Sequence, residues 1–152
     1  MATFISNSPD ETEEFARRFA NDIQPGDVLA LKGDLGAGKT HFVKGLVAGL
    51  GTDAVVASPT FTIIHEYAGG RLPIYHFDLL RLDDRPSVER LGLDEYFFGD
   101  GVCVVEWADR FPDLIPEDAH WIELEIKSEN VREITFHERE SQGTTASESS
   151  RI

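Results

Sequence analysis

The sequence has very little of several things that define other protein classes. Its 152 residues include one cysteine, Cys103, so an intrachain disulfide is excluded. Cys103 stands in the apolar run 102–105, which predicts a buried core thiol. No apolar run approaches the roughly 18–20 residues of a membrane-spanning helix, and the N-terminus lacks the pattern of a signal peptide. We therefore expect a globular protein of the reducing cytoplasm.

Positive charge is also scarce. The chain has 14 Lys and Arg against 28 Asp and Glu, a formal net charge of −14. Tight binding to a nucleic-acid backbone needs clustered basic side chains, so a direct nucleic-acid binder is disfavoured and an indirect role stays open. The first 75 residues hold 9 acidic and 6 basic side chains, and the rest hold 19 and 8. Any cationic site of chemical interest therefore belongs to the first half.

Short apolar runs between turns predict a single domain of helices and strands, residues 1–138. Ser8, Pro9 and Glu11 form the pattern of a capping box, with Ser8 as the N-cap of a first helix. The apolar run 27–32 leads through a Gly-rich turn into a helix that ends near Gly51, a strand–loop–helix unit. Other strands are predicted at 2–6, 54–57, 62–68, 72–77, 102–107, 119–126 and 132–137, with short helices within 79–98. The polar segment 139–152 is predicted to be a disordered tail.

The turn after the run 27–32 contains the most specific motif. Its sequence, GDLGAGKT, fits the pattern G-x-x-x-x-G-K-[ST] of a phosphate-binding P-loop. Glycines let the backbone wrap a polyphosphate with its N–H groups inward, and the N-terminus of the next helix adds positive potential. Lys39 would approach the β- and γ-phosphates, and the Thr40 hydroxyl would bind Mg²⁺. The predicted phosphate-binding residues are Gly33, Asp34, Leu35, Gly36, Ala37, Gly38, Lys39 and Thr40.

A P-loop nucleotide site also needs a carboxylate near the metal ion. Two acids end apolar runs, Asp78 after 74–77 and Glu106 after 102–105. Either acid could bind Mg²⁺ or its water, and the other could orient an attacking water. The hydroxyl-rich segment Ser58–Thr62 is a candidate switch loop that senses the γ-phosphate and the metal. The residue pattern leaves the roles of the two acids open.

These segments together resemble one family. The P-loop, the segment Ser58–Thr62, the strand end Tyr75–Asp78 and the pair Glu106–Trp107 are similar to those of TsaE (formerly YjeE), small bacterial ATPases needed for threonylcarbamoyladenosine modification of tRNA. The resemblance covers roughly residues 2–137. It implies an α/β P-loop NTPase-like domain with a mixed, mostly parallel central sheet flanked by helices. It also implies weak ATP hydrolysis that resets TsaD and TsaB, which modify adenosine 37, with tRNA contacted only through that complex.

The resemblance also implies roles at the centre of the site. Lys39 and the loop amides would hold the ATP phosphates. Thr40 and Glu106 would bind Mg²⁺, and Asp78 would polarise or position water.

Further roles are implied around that centre. Thr60 and Thr62 would belong to the switch, and Thr12 and Arg132 fall where the family approaches the nucleotide base. Trp107 matches an aromatic position beside the acid, although its residue type alone favours core packing.

Other functions can use the same motif. A P-loop small-molecule kinase would need an arginine-bearing lid, for which Arg81, Arg85 and Arg90 are the candidates. These arginines alternate with acidic residues, a pattern typical of a solvent-exposed helix face. A GTPase is disfavoured, because the chain has no Asn-Lys-x-Asp segment and no Asp-x-x-Gly after a strand. A nucleotide-gated binding module without useful hydrolysis is a further alternative.

Overall fold

The computed structural model describes residues 2–34, 36–52, 64–80, 82, 84–97 and 99–137. The strands are β1 (Ala2–Ser6), β2 (Val28–Lys32), β3 (Ile64–Tyr67), β4 (Ile74–Asp78), β5 (Val102–Glu106), β6 (His120–Ile126) and β7 (Arg132–His137). The helices are α1 (Pro9–Phe19), α2 (Lys39–Gly49), α3 (Arg85–Glu89) and α4 (Leu93–Phe97). None of these helices is long and apolar enough to cross a membrane. The predicted strand 54–57, the segment Ser58–Thr62 and the tail 139–152 lie outside the described residues.

The seven strands form one sheet in the order β1-β7-β6-β2-β5-β4-β3. The four central strands, β6, β2, β5 and β4, are parallel to one another. Strands β7 and β1 on one side, and β3 on the other, are added through antiparallel pairs. The predicted α/β domain with a mixed sheet, parallel in its core, is confirmed. Because β2, β4 and β5 are parallel, the segments that follow them meet at one edge of the sheet.

The first helix begins where its sequence predicts. The Ser8 side chain caps α1 by accepting a hydrogen bond from the Glu11 N–H at 3.1 Å, and Pro9 opens the helix. In a capping box the Glu11 carboxylate would accept a hydrogen bond from the N–H of the N-cap residue, Ser8. Here it accepts instead from the N–H of the preceding residue, Asn7, at 2.9 Å. These bonds satisfy N–H groups that a helix start leaves without helical partners. They therefore set the point at which β1 turns into α1.

Helices α1 and α2 cover one face of the sheet and approach each other very closely at two glycines of α2. A Cβ atom at Gly45 would lie 2.2 Å from the Glu13 carbonyl oxygen and 2.7 Å from the Ala16 Cβ. A Cβ atom at Gly49 would lie 2.5 Å from the Arg17 carbonyl oxygen. These distances are well inside van der Waals contact, so glycine is what lets the helix that follows the P-loop lie against α1.

We expect Gly45→Ala to lower the melting temperature by several degrees, although alanine is the better helix former. The methyl group would overlap the Glu13 carbonyl, and overpacking of this kind costs about 1–3 kcal/mol. For a domain of this size, each kcal/mol shifts the midpoint by about 2–4 °C. Lys44→Ala, an exposed change on the same helix, should leave the midpoint nearly unchanged. A wild-type midpoint for Gly45→Ala would contradict the close helix packing.

The two faces of the sheet carry separate apolar cores. One core, which includes Leu29, Phe42 and Leu46, lies under α1 and α2. The other includes Phe77 and Cys103 and lies on the opposite face. Cys103 is buried as predicted, and its burial raises the pKa of the thiol to about 12. The sheet is therefore covered on both faces where its strands are parallel, as the continuous apolar runs of β2 and β5 indicate.

Candidate nucleotide-binding site

A cavity of about 330 Å³ opens at the sheet edge where β2, β4 and β5 end. Eight predicted site residues line it: Thr12, Gly36, Gly38, Lys39, Thr40, Asp78, Glu106 and Arg132. They come from α1, the P-loop and α2, and the ends or starts of three strands. The fold therefore brings together residues that are far apart in the sequence.

The P-loop backbone adopts conformations that favour glycine. Gly36 has a φ of +84° and Gly38 a φ of +101°, in the left-handed region that L side chains rarely adopt. A Cβ atom at Gly33 would lie 2.6 Å from the Leu124 carbonyl oxygen in β6, so glycine is needed where the loop leaves β2. Gly38 immediately precedes α2, whose half-buried Thr40 lines the cavity. The N-terminus of α2 therefore lies at the cavity, where its partial positive charge favours an anion.

Lys39 lies almost buried at the floor of the loop, with 5% of its surface exposed. Its ammonium donates hydrogen bonds to the carbonyl oxygens of Gly33 and, at 3.0 Å, Asp34. The same ammonium lies 4.1 Å from the centroid of the Trp107 ring, a cation–π contact. Burial lowers the pKa of Lys39, and nearby carboxylates, first among them Glu106, oppose this shift. A cation is thus held beside the cavity by neutral carbonyls and a ring.

Two other members of the predicted loop close its turn. The Ala37 N–H donates to the Asp34 carbonyl oxygen at 3.0 Å, and Ala37 is buried. Three other predicted site residues, Leu35, Thr60 and Thr62, lie outside the described residues.

The two candidate acids lie side by side. Asp78 ends β4, Glu106 ends β5, and they are register partners in this parallel pair. Asp78 is 8% exposed and Glu106 is 3% exposed. Burial is the main cause that raises the pKa of Asp78; the hydrogen bond from the Leu80 N–H, 2.9 Å long, opposes it and the Glu106 carboxylate adds to it. Adjacent, nearly buried carboxyl groups in a cavity are typical of a functional site.

We expect Asp78→Asn to raise the melting temperature of the nucleotide-free protein near pH 7. A carboxyl whose pKa is raised by folding binds its proton more readily in the native state, so its ionised form destabilises the native state above that pKa. This destabilisation disappears below pH 3.8, the ordinary pKa of an aspartate, because there Asp78 is protonated in the unfolded chain as well. Asparagine removes the charge and can still accept from the Leu80 N–H. The gain should shrink as the pH falls towards 4, and a lower midpoint at pH 7 would contradict this burial cost.

His76 is a member of the site that the sequence pattern did not single out. Its side chain is fully buried, with Nε2 2.5 Å from Glu106 Oε2 and Nδ1 3.3 Å from the Tyr67 hydroxyl. A carboxylate oxygen accepts, so Nε2 donates. The available signal was a polar residue inside the apolar run 74–77, two positions before Asp78 and hence on the same face of β4.

Arg132 and Thr12 lie at the cavity, as predicted. The Arg132 Nε and Nη2 atoms donate to the Gly36 carbonyl oxygen at 3.2 and 3.0 Å, and Nη1 donates to three carbonyls of the turn 128–131. This guanidinium therefore ties the P-loop to the turn between β6 and β7. Thr12 is buried, with its hydroxyl 2.7 Å from that of Ser6. A contact of either residue with a nucleotide base stays a prediction.

Trp107 follows Glu106 in an unusual backbone conformation. Its φ of +60° is the single positive value among the described residues other than glycine. Such conformations cost free energy and cluster at functional sites. The Trp107 ring packs against the apolar core that includes Phe77. It therefore both contributes to core packing and contacts the Lys39 ammonium.

This chain matches a known protein family over most of its length. The family model described as "Threonylcarbamoyl adenosine biosynthesis protein TsaE" matches residues 6–134. The chain belongs to the TsaE family. A TsaE of Bacillus subtilis (strain 168) is 51% identical over 129 residues, 85% of this chain and 80% of that relative. A TsaE of Treponema pallidum (strain Nichols) is 40% identical over 131 residues, 86% of this chain and 96% of that relative.

A solved structure resembles this TsaE-family chain over most of its length. The crystal structure of Bacillus subtilis YdiB matches it with a TM-score of 0.80 and 43% identity, covering 91% of this chain and 86% of YdiB. Both curated relatives carry the name "tRNA threonylcarbamoyladenosine biosynthesis protein TsaE". The TsaE match begins before the cap of α1 and ends within β7, and it therefore spans the whole candidate site.

Two of the three arginines that could form a kinase lid in this TsaE-family chain are described by the structure. The Arg85 guanidinium pairs with Asp113 and, at 3.5 Å, with Glu89, and its side chain is 48% exposed. Arg90 is exposed, and Arg81 lies outside the described residues. Arg85 and Arg90 thus match a solvated helix face.

Proposed function

We propose that this chain is a Mg²⁺-dependent ATPase that supports threonylcarbamoylation of adenosine 37 in tRNA. The observation that carries the proposal is the convergence of Lys39, Thr40, Asp78 and Glu106 on one cavity beside the P-loop. A P-loop by itself accounts for phosphate binding, whereas hydrolysis also needs groups that hold a metal ion and orient water. Membership of the TsaE family supports the link to tRNA modification.

The oxygen donors at the cavity fit Mg²⁺. This ion keeps several waters and is usually bound by one or two carboxylates together with substrate phosphates. We assign Thr40 and Glu106 to the metal and Asp78 to the attacking water. When bound, Mg²⁺ neutralises the negative charge that develops on the transferred phosphoryl group.

Lys39 exchanges its partners when ATP binds. In the structure its ammonium donates to the carbonyl oxygens of Gly33 and Asp34. Phosphate oxygens are charged and accept stronger hydrogen bonds than carbonyl oxygens do, so ATP competes well for the same ammonium. Asp78 orients the attacking water and accepts its proton, a role that suits a carboxyl whose pKa is raised by burial.

We assign the chain to a cytoplasmic complex with TsaD and TsaB, as the accessory subunit whose ATP hydrolysis resets the transferase between turnovers. The net charge of −14 supports the view that tRNA is held by those partners and contacted only through the complex. The same charge favours a basic surface on a partner subunit.

Phosphate release from ATP tests the proposal. We expect slow release by the chain with Mg²⁺, faster release when TsaB and TsaD are added, and none above background in EDTA. Lys44→Ala, exposed on α2, serves as the matched variant that keeps wild-type release. Background release with both partners present would contradict hydrolysis, and transfer of the phosphate to an added metabolite would identify a kinase instead.

A further inference from the structure

Three buried polar side chains on neighbouring strands form a row of hydrogen-bonding contacts that ends at the cavity. Tyr67 of β3, His76 of β4 and Glu106 of β5 are 4%, 0% and 3% exposed. The Tyr67 hydroxyl lies 3.3 Å from His76 Nδ1, and His76 Nε2 donates to Glu106 Oε2 at 2.5 Å. Of the three, Glu106 lines the cavity. Glu106 therefore links Tyr67 and His76 to the cavity.

The position of His76 favours an apolar residue unless its hydrogen bond is needed. Ile74 and Phe77 of the same strand are fully buried core residues. A buried polar group that loses its partner destabilises the folded state, so an imidazole with only one partner would be worse here than a leucine. Here the imidazole has a partner at each nitrogen, which fixes the orientation of the ring.

We propose that His76 is a positioning residue that presents the Glu106 carboxylate to Mg²⁺; this rests on the proposed function. The bond to Oε2 restricts the rotamer of a carboxylate that lines the cavity. Tyr67 in turn fixes the ring that makes this bond. Hydrogen-bond partners of metal-binding groups orient them in this way, and their loss typically costs about 10–100-fold in metal affinity.

The neighbouring acid is held differently, and this difference makes the proposal selective. Asp78 accepts from the Leu80 backbone N–H at 2.9 Å. The Lys39 ammonium is held by backbone carbonyls and by the Trp107 ring. A change at His76 should therefore weaken the response to Mg²⁺ and leave metal-free nucleotide binding intact.

The test is a Mg²⁺ titration of the full chain, with a fluorescent ATP analogue as the probe and EDTA as the metal-free reference. His76→Asn ends too early to reach Glu106, whereas His76→Gln places an amide N–H near the position of Nε2. We expect His76→Asn to need at least about tenfold more Mg²⁺ for half-maximal response, with wild-type affinity in EDTA. His76→Gln should recover most of the loss. His137→Asn, in β7 on the other side of the sheet, should behave as wild type.

Two further variants separate positioning from a general loss of folding. Tyr67→Phe keeps the ring packing and the His76–Glu106 bond, and should shift the Mg²⁺ midpoint by about two- to tenfold, the effect of one hydrogen bond. In a Glu106→Gln background, His76→Asn should add no further shift.

A wild-type Mg²⁺ response in folded His76→Asn would overturn the positioning role. If that variant does not fold, an unshifted midpoint in Tyr67→Phe would overturn it instead. In both cases ATP binding by the wild-type chain would leave the proposed function standing. A wild-type chain that binds no ATP with or without Mg²⁺ would overturn the proposed function itself.

Discussion

Lys39→Ala should weaken ATP binding by at least about 30-fold. The ammonium is nearly buried at the cavity, and its loss would leave phosphate charge without a desolvated partner. Truncating one member of a buried, hydrogen-bonded charge pair costs about 2–5 kcal/mol, and each 1.4 kcal/mol is about tenfold in affinity. Isothermal titration calorimetry with ATP and Mg²⁺ measures this loss directly.

A matched variant separates this effect from a general change of charge. Lys44→Ala removes the same charge from an exposed position on the same helix, so its ATP affinity should stay at the wild-type value. The melting temperature of Lys39→Ala is measured alongside, so that the loss of affinity is taken from folded protein. An unchanged dissociation constant for Lys39→Ala would contradict the assignment of this cavity to phosphates.

Glu106→Gln should reduce the rate of phosphate release by at least about 100-fold, the typical effect of removing one electrostatic contact of a transition state. Glutamine keeps the volume of the side chain, and its carbonyl oxygen can still accept from His76 Nε2. A neutral amide is a much weaker Mg²⁺ ligand than a carboxylate. The loss should therefore appear in kcat and in the Mg²⁺ dependence, with nucleotide affinity in EDTA unchanged.

The control for this variant is Glu117→Gln, which removes one acidic charge at an exposed position away from the cavity. Its rate of phosphate release should match that of the wild type. If Glu106→Gln lost nucleotide affinity in EDTA and turnover to the same degree, with a lower melting temperature, Glu106 would be structural and its assignment to the metal would be wrong.

The parts of the fold that depend on local sequence were predictable. The Ser8 cap depends on a side chain three residues from its partner, and the strand–loop–helix unit around the P-loop depends on a contiguous apolar run and a Gly-rich motif. The need for glycine at Gly45 was not predictable, since it arises from a contact with Glu13 in another helix. Local patterns cannot report which surfaces meet in the folded chain.

Site residues in local motifs were predictable from the sequence, whereas those that depend on long-range contacts were not. The P-loop is a contiguous motif, and Asp78 and Glu106 each end a recognisable strand. The role of His76 depends on the register that places β4 beside β5, and 30 residues separate it from Glu106. The bonds from Arg132 to the Gly36 carbonyl join residues 96 positions apart. Contacts of this range require the sheet order, which hydrophobic patterns do not encode.

A crystal structure of the chain with a non-hydrolysable ATP analogue and Mg²⁺ would show where the nucleotide and the metal bind. We expect the phosphates within the loop 33–40, the Lys39 ammonium on the β- and γ-phosphates, and the metal on Thr40 and on Glu106, directly or through one water. A nucleotide bound outside this cavity, or a metal held by Asp78 with Glu106 turned away, would contradict this expectation.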